Sequence, residues 1–163
     1  MDSRTNKQNY YLDIADSVLE RSTCLRRKYG AIIVRSDEII STGYNGAPRG
    51  RKNCSDLGCC TRESLNIPSG ERYELCRSVH AEANAIIAAP REQMLGATLY
   101  LCCTSPEDGS VMPQTTSCMM CKKLIINAGI ARVTVRDDAE NYRVIDVGEW
   151  IENDDSVSGK FGY

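Results

Sequence analysis

The chain contains a single histidine, and a carboxylate follows two positions later, in Val79-His80-Ala81-Glu82-Ala83. Further on, Cys118-Met119-Met120-Cys121 offers two thiols at the spacing that lets both reach one ion. Each stretch sits where a helix is predicted to begin, so the fold must bring two helix starts to one point. No other feature constrains the chain as tightly. One imidazole and two thiolates give Zn²⁺ three protein ligands and leave the fourth tetrahedral position to water, the layout of a catalytic site rather than a closed structural one. Glu82 cannot readily ligate an ion that His80 approaches from the same helical turn, so its carboxylate is expected over the bound water. Such a water ionises near neutral pH, and a carboxylate beside it can take its proton and pass it to a leaving group. Singly, a histidine is an ordinary surface or core residue and a C-x-x-C is a redox pair. Their combination points to metal-assisted hydrolysis.

The rest of the chain bounds where this chemistry takes place. The 163 residues suit one domain, 1–163, large enough to bury a full core. With 42% hydrophobic and 26% charged residues, global disorder is excluded. A net charge of -2 argues against a polynucleotide partner, which needs an electropositive face, but leaves a small nucleotide open. Met1-Asp2-Ser3-Arg4-Thr5-Asn6-Lys7 lacks the apolar run of a signal peptide, and no stretch approaches the roughly 20 apolar residues of a membrane span. A soluble cytoplasmic protein is therefore expected, with no membrane partner. In that compartment the nine cysteines are reduced, and serve as metal ligands or apolar core rather than disulfides.

Read in order, Tyr11, Ile14, Ala15, Val18 and Leu19 fall at helical spacing and predict a first helix from about Lys7 to Thr23. Ala31-Ile32-Ile33-Val34 and Ile39-Ile40-Ser41-Thr42-Gly43-Tyr44 flank a polar turn, Arg35-Ser36-Asp37-Glu38, and read as a hairpin. Turn formers follow from Gly43 to Gly50, and an irregular, Cys-rich insert spans about 45–79. A small-sided apolar helix is predicted from Ser78 or Val79 to near Pro90. Ala97 to Cys103 reads as a buried central strand that takes Cys102 and Cys103 into the core. A helix from Cys118 ends at Gly129. Strands at Ile130–Val135 and Arg143–Val147 follow, the first expected parallel to the central strand, and the tail after about 152 is expected to be mobile. Between the first helix and first strand, Arg26-Arg27-Lys28 is a charge run suited either to solvent or to a phosphate. Tyr142 is a candidate for stacking on a base or ring.

An H-x-E followed by a C-x-x-C is the signature of zinc-dependent nucleobase deaminases, and the sequence resembles the cytidine deaminase superfamily. Gly43-Tyr44-Asn45-Gly46-Ala47-Pro48-Arg49-Gly50 is similar to the G-Y-N-G-x-P-x-G stretch of deoxycytidylate (dCMP) deaminases, including competence-operon relatives, which narrows the resemblance to that family. One departure stands out: Ser117 precedes the first cysteine of the pair where the family has proline. Proline would fix the chain entering the helix, whereas serine can cap the helix through its hydroxyl.

The resemblance implies an α/β fold, a three-layer α/β/α sandwich around a mixed sheet of about five strands. It implies hydrolytic deamination of dCMP to dUMP with release of ammonia, supplying dUMP for thymidylate synthesis. Glu82 would be the catalytic residue, with His80, Cys118 and Cys121 on the zinc. The N–H of Ala81 and the carbonyl of Ser117 would hold the base edge, Asn45 the deoxyribose, and Arg26 and Lys28 the phosphate. The glycine-rich stretch, Gly43, Tyr44, Gly46 and Pro48, would take a regulatory dCTP or dTTP with Mg²⁺, in a homo-hexamer. Cys24, Cys54, Cys59, Cys60 and Cys76 offer enough thiols for a second, closed zinc. The family carries such a zinc at positions matching Cys24 and Cys54, and Cys60 and Cys76 complete the set with Cys59 left over; reduced thiols packed in a loop are the other reading. The rivals are a deaminase of dCTP, of a nucleoside or of a tRNA adenosine, and a non-catalytic zinc protein in nucleic-acid uptake.

Overall fold

A computed structural model describes residues 3–153; the tail expected to be mobile falls almost wholly outside them. Helix α1 (Lys7–Leu19) is capped by Asn6, whose side chain accepts from the Asn9 amide at 2.9 Å. Strands β1 (Lys28–Arg35) and β2 (Glu38–Tyr44) form the expected hairpin. Its two turn residues, Ser36 and Asp37, both have positive φ (51° and 63°), the geometry that matches the right-handed twist of the flanking strands. Three short helical pieces, α2 (Cys54–Leu57), α3 (Thr61–Ser64) and a 3-10 turn at Tyr73–Leu75, punctuate the insert. After them come α4 (Ala81–Ile87), α5 (Arg91–Met94), β3 (Thr98–Thr104), α6 (Met119–Ala128), β4 (Arg132–Arg136), β5 (Tyr142–Asp146) and α7 (Val147–Glu152).

The five strands form one sheet in the order β2-β1-β3-β4-β5. Only β3 and β4 run parallel; the pairs β1/β2, β1/β3 and β4/β5 are antiparallel. Side chains alternate across the central strands, and this parity sorts the core into two layers. Ile32, Val34, Tyr100 and Cys102 pack with Tyr11, Leu12, Ala15 and Leu19 of α1. Ala31, Ile33, Leu99 and Leu101 pack on the opposite side with Ala81 and Ala85 of α4 and Ile125 of α6. The result is the expected α/β/α sandwich on a mixed sheet of five strands. Cys102 and Cys103 are buried on β3 as anticipated, with Cys102 Sγ donating to the Leu12 carbonyl at 3.2 Å.

Three boundaries differ from expectation for local reasons. α1 stops at Leu19 rather than Thr23, because Ser22 and Thr23 turn to bond Asn45 and Asn53. α4 begins at Ala81 rather than Ser78 or Val79: Val79 is held in extended pairing with Gly46, and His80, at φ −71° and ψ 155°, is the cap. Val147 opens α7 instead of closing a strand, since Asp146 caps the helix by accepting from the Gly148 amide at 2.8 Å.

Two glycines allow the helices to approach the sheet on both sides. A Cβ on Gly30 would lie 2.2 Å from the Ala15 carbonyl of α1, and one on Gly43 would lie 2.3 Å from the Ala81 carbonyl and 2.4 Å from the Ala85 amide of α4. Gly43 therefore sets the depth of α4, and with it the position of the residues at its start. Midway along α1, the guanidinium of Arg136, 3% exposed, binds Asp13 (2.7 Å) and Asp16 (2.9 Å) and ties the helix to β4. No helix among the described residues is long and apolar enough to cross a membrane. Because the atoms opposing Gly43 are backbone, Gly43→Ala is expected to destabilise the fold by about 1–3 kcal/mol. Urea unfolding reads this directly, and an unchanged midpoint would mean that α4 can lift off β2 without cost.

Candidate active site

The N-termini of α4 and α6 meet on one face of the sheet. His80 caps α4 and Cys118 caps α6, with Cys121 one turn into the latter. The His80 Nδ1 atom is 3.4 Å from Cys118 Sγ and 3.5 Å from Cys121 Sγ, and all three ligand atoms lie within 4.8 Å of one another. Among the described residues no other histidine, cysteine or carboxylate cluster reaches that spacing. The separations fit a zinc ion: bonds of about 2.3 Å to sulfur and 2.0–2.1 Å to nitrogen at the tetrahedral angle leave about 3.5 Å between N and S. The donor set, two soft thiolates and one imidazole, also suits that metal.

Glu82 is 3% exposed, in the first turn of α4. Burial raises its carboxyl above the ordinary range, against the opposing pull of its own backbone amide, His80 and Ser117. Ser117 was expected to cap α6. Instead Cys118 occupies the cap position, and the buried Ser117 Oγ has no aligned partner while lying near enough to Glu82 to lower its carboxyl. The segment leading to Ser117 is fixed by the Arg143 guanidinium, which donates to the Thr115 carbonyl at 2.6 Å.

The remaining sequence-predicted residues divide by face. Asn45 is buried, its Oδ1 accepting from Ser22 Oγ and the Tyr29 amide and its Nδ2 donating to the Arg27 carbonyl at 2.9 Å, which leaves one amide hydrogen to offer. Gly43 and Gly46 serve internal packing, Gly46 through its pairing with Val79, while Tyr44 and Pro48 are exposed. Two expectations need correction. Lys28 belongs to the even-numbered side of β1, which faces α1, and lines a surface pocket with Asp16, Ser17 and Glu20 rather than the metal face. Tyr142 likewise packs in the α1 layer and cannot stack on a base held at Glu82. Arg26 is exposed and paired with Glu63 at 2.7 Å.

Of the five thiols in and beside the insert, burial raises Cys54, and Cys24, Cys60 and Cys76 raise it further through their own charge. Those are the three partners expected for it; Cys59 is exposed and not among them. The four sulfurs share a neighbourhood without converging to the spacing of the His80 cluster. Two residues that the sequence reading passed over lie beside His80. The Tyr73 ring meets the imidazole edge-on with centroids 5.5 Å apart, and the Arg62 guanidinium covers Tyr73 at 4.3 Å. Nothing in the periodicity of an irregular insert announces either.

Residues 5–136 match the family described as the cytidine and deoxycytidylate deaminase zinc-binding region. The chain belongs to that family. It is 38% identical over 135 residues to the deoxycytidylate deaminase of Mycobacterium phage D29, covering 80% of this chain and 94% of the relative. It is 33% identical over 130 residues to the deoxycytidylate deaminase of Schizosaccharomyces pombe, covering 80% of this chain and 37% of that longer protein. The dCMP deaminase of cyanophage S-TIM5, solved in complex with dCMP and dUMP, superposes with a TM-score of 0.53 at 26% identity, covering 82% of this chain and 84% of the phage protein.

The cluster carries its own charge pattern. The Cys121 thiol, burial notwithstanding, and the His80 imidazole hold Cys118 well below the ordinary thiol range, whereas the bond to Cys118 and burial raise Cys121. Burial alone would lower His80, but the Cys118 and Cys76 sulfurs push it up to about 10. At pH 7 one thiolate is therefore ready, while His80 and Cys121 must each lose a proton to become ligands. Zinc uptake is expected to release about two protons and to strengthen as pH rises. Calorimetric titration in buffers of different ionisation enthalpy counts them, and zero release would contradict this charge pattern.

Proposed function

We propose that the chain hydrolyses dCMP to dUMP and ammonia, supplying dUMP for thymidylate synthesis. The observation that carries this reading is the meeting of His80, Cys118 and Cys121 within ligand spacing beside the buried carboxyl of Glu82. It is supported by relatives named deoxycytidylate deaminase and by a solved neighbour that holds dCMP and dUMP. His80, Cys118 and Cys121 would hold a zinc ion, which would supply the Lewis acidity that makes water nucleophilic near neutral pH.

The chain's own groups perform the proton transfers. Glu82 takes one proton from the attacking water and delivers it to N3 of the cytosine as the new C4–O bond forms. It then carries the second water proton to the exocyclic nitrogen, which leaves as ammonia when the C4–N bond breaks. Each water proton is thus accounted for, one on N3 of the product and one on ammonia. A carboxyl raised by burial can hold a proton between the two transfers, as a general acid and base must. The Ala81 N–H, first in α4 and without an intrahelical acceptor, and the Ser117 carbonyl hold the base edge. Asn45 offers its remaining amide hydrogen to the deoxyribose.

The reading extends to a second zinc on Cys24, Cys54, Cys60 and Cys76, to a triphosphate effector with Mg²⁺ at the exposed Tyr44 and Pro48, and to a cytoplasmic homo-hexamer. Glu82→Gln is expected to keep its zinc while ammonia release from dCMP falls by about 10²–10⁴-fold; a variant that turns over normally would remove Glu82 from the reaction. Elemental analysis of purified wild-type protein is expected to give about two zinc ions per chain, and Cys54→Ser about one. A wild-type value near one would leave the insert thiols without a metal.

A further inference from the structure

We infer that Tyr73, backed by Arg62, is a positioning residue for the metal centre: it holds the His80 imidazole in the orientation that presents Nδ1 to the two sulfurs. The inference rests on the metal reading of the His80 cluster and deepens it. It makes the irregular insert part of a site that the sheet and its helices otherwise build.

The need for such a residue follows from the histidine itself. Its main chain is fixed on both sides. Val79 N donates to the Gly46 carbonyl at 2.7 Å and Gly46 N to the Val79 carbonyl at 3.2 Å, while the His80 carbonyl accepts from the Asn84 amide at 3.0 Å. The ring keeps a freedom that the main chain has lost, because rotation about the Cβ–Cγ bond of a histidine has only broad preferences of its own. That rotation decides the chemistry. Nδ1 lies 3.4 and 3.5 Å from the Cys118 and Cys121 sulfurs; half a turn would put Cδ2 in its place, and a ring carbon does not ligate zinc. Contacts beyond the ligands orient metal-binding imidazoles for this reason.

Tyr73 supplies such a contact. Its ring stands at 83° to the imidazole with centroids 5.5 Å apart, the edge-to-face arrangement that aromatic pairs prefer. The imidazole cannot turn without giving it up. Tyr73 itself belongs to a single 3-10 turn, Tyr73–Leu75, which is too short to be rigid alone. Arg62 makes up for this. Its guanidinium lies over the Tyr73 ring, 4.3 Å from the centroid. Nη2 of the same group donates to the Pro68 and Glu71 carbonyls at 2.8 and 2.7 Å, and Nε to Glu71 at 3.1 Å. The planar fork that covers the ring therefore also closes residues 62–71 into a loop. Helix and sheet place the His80 backbone, and the insert orients its ring.

His80 is the sole histidine, so the imidazole NMR signals of histidine-labelled protein report this ring alone, whatever metal the insert thiols take up. The test follows them through zinc titration and chelator competition in wild-type, Tyr73→Phe, Tyr73→Leu and Arg62→Gln protein. Wild type is expected to show one zinc-bound imidazole state. Tyr73→Leu keeps the bulk without the aromatic ring, and is expected to show the imidazole exchanging between orientations with zinc held about two- to tenfold more weakly. Tyr73→Phe is expected to match wild type, since the ring and not the hydroxyl makes the contact, and Arg62→Gln to fall between. At saturating zinc, Tyr73→Leu is expected to lower kcat for dCMP while KM stays within about twofold. The inference is overturned if Tyr73→Leu keeps a single imidazole state and wild-type zinc affinity, or if Tyr73→Phe loses them. A rise in KM with kcat unchanged would overturn it as well, by placing the ring on the substrate. Should Tyr73→Leu fold poorly, Arg62→Gln decides by the same signals with the tyrosine intact. A wild-type imidazole that zinc leaves unshifted overturns the metal reading and this inference together, whereas one that zinc shifts regardless of both residues overturns this inference alone.

Discussion

Two helices start at the same point on the same face of one sheet, and the chemistry depends on how closely they are held there. His80 Nδ1 sits at nearly equal distance from the two sulfurs because α4 is pressed onto β2 to the depth that Gly43 permits, while α6 packs its buried side on the neighbouring strands. A displacement of α4 by one methyl group would carry His80 and Glu82 away from the thiols together. The sheet order matters for the same reason. The parallel pair β3 and β4 obliges α6 to cross one face, and that is the face α4 already occupies.

Charge and burial cooperate around this point. Glu82 is enclosed, so its carboxyl resists ionising in the absence of a cation, yet it lies among groups that draw the carboxylate form back. A carboxyl raised by burial suits a residue that must hold a proton between taking and returning it. The opposite face of the sheet has a different character. It is filled by α1 and aromatic contacts, Tyr11 against Tyr100 with centroids 5.1 Å apart, and closed by the Arg136 ion pairs.

The sequence carried the site better than its surroundings. His80, Glu82, Cys118 and Cys121 were legible because metal chemistry restricts residue type and spacing more than packing does, and the helices and strands were legible because their apolar periods are regular. Facing was not. Lys28 and Tyr142 looked suitable for substrate by residue type, but a strand sends neighbours to opposite sides, and the parity of β1 and β5 relative to the metal is fixed only when the sheet is assembled. Tyr73 and Arg62 were invisible because an irregular loop has no period, and their stack depends on backbone carbonyls at Pro68 and Glu71. The short helices α5 and α7 escaped notice as too brief to show a repeat.

The ligand geometry bears on more than the reaction. Cys118 lies 38 residues from His80, and the chain between them includes β3, the strand flanked by β1 and β4 at the middle of the sheet. An ion shared by these side chains is thus a cross-link closing a long loop around the central strand, and closing such a loop restricts the unfolded chain far more than the folded one. Its binding free energy is then also folding free energy. A chelator would do more than silence this protein: it would unfasten the two ends of the segment that holds the sheet's centre in place.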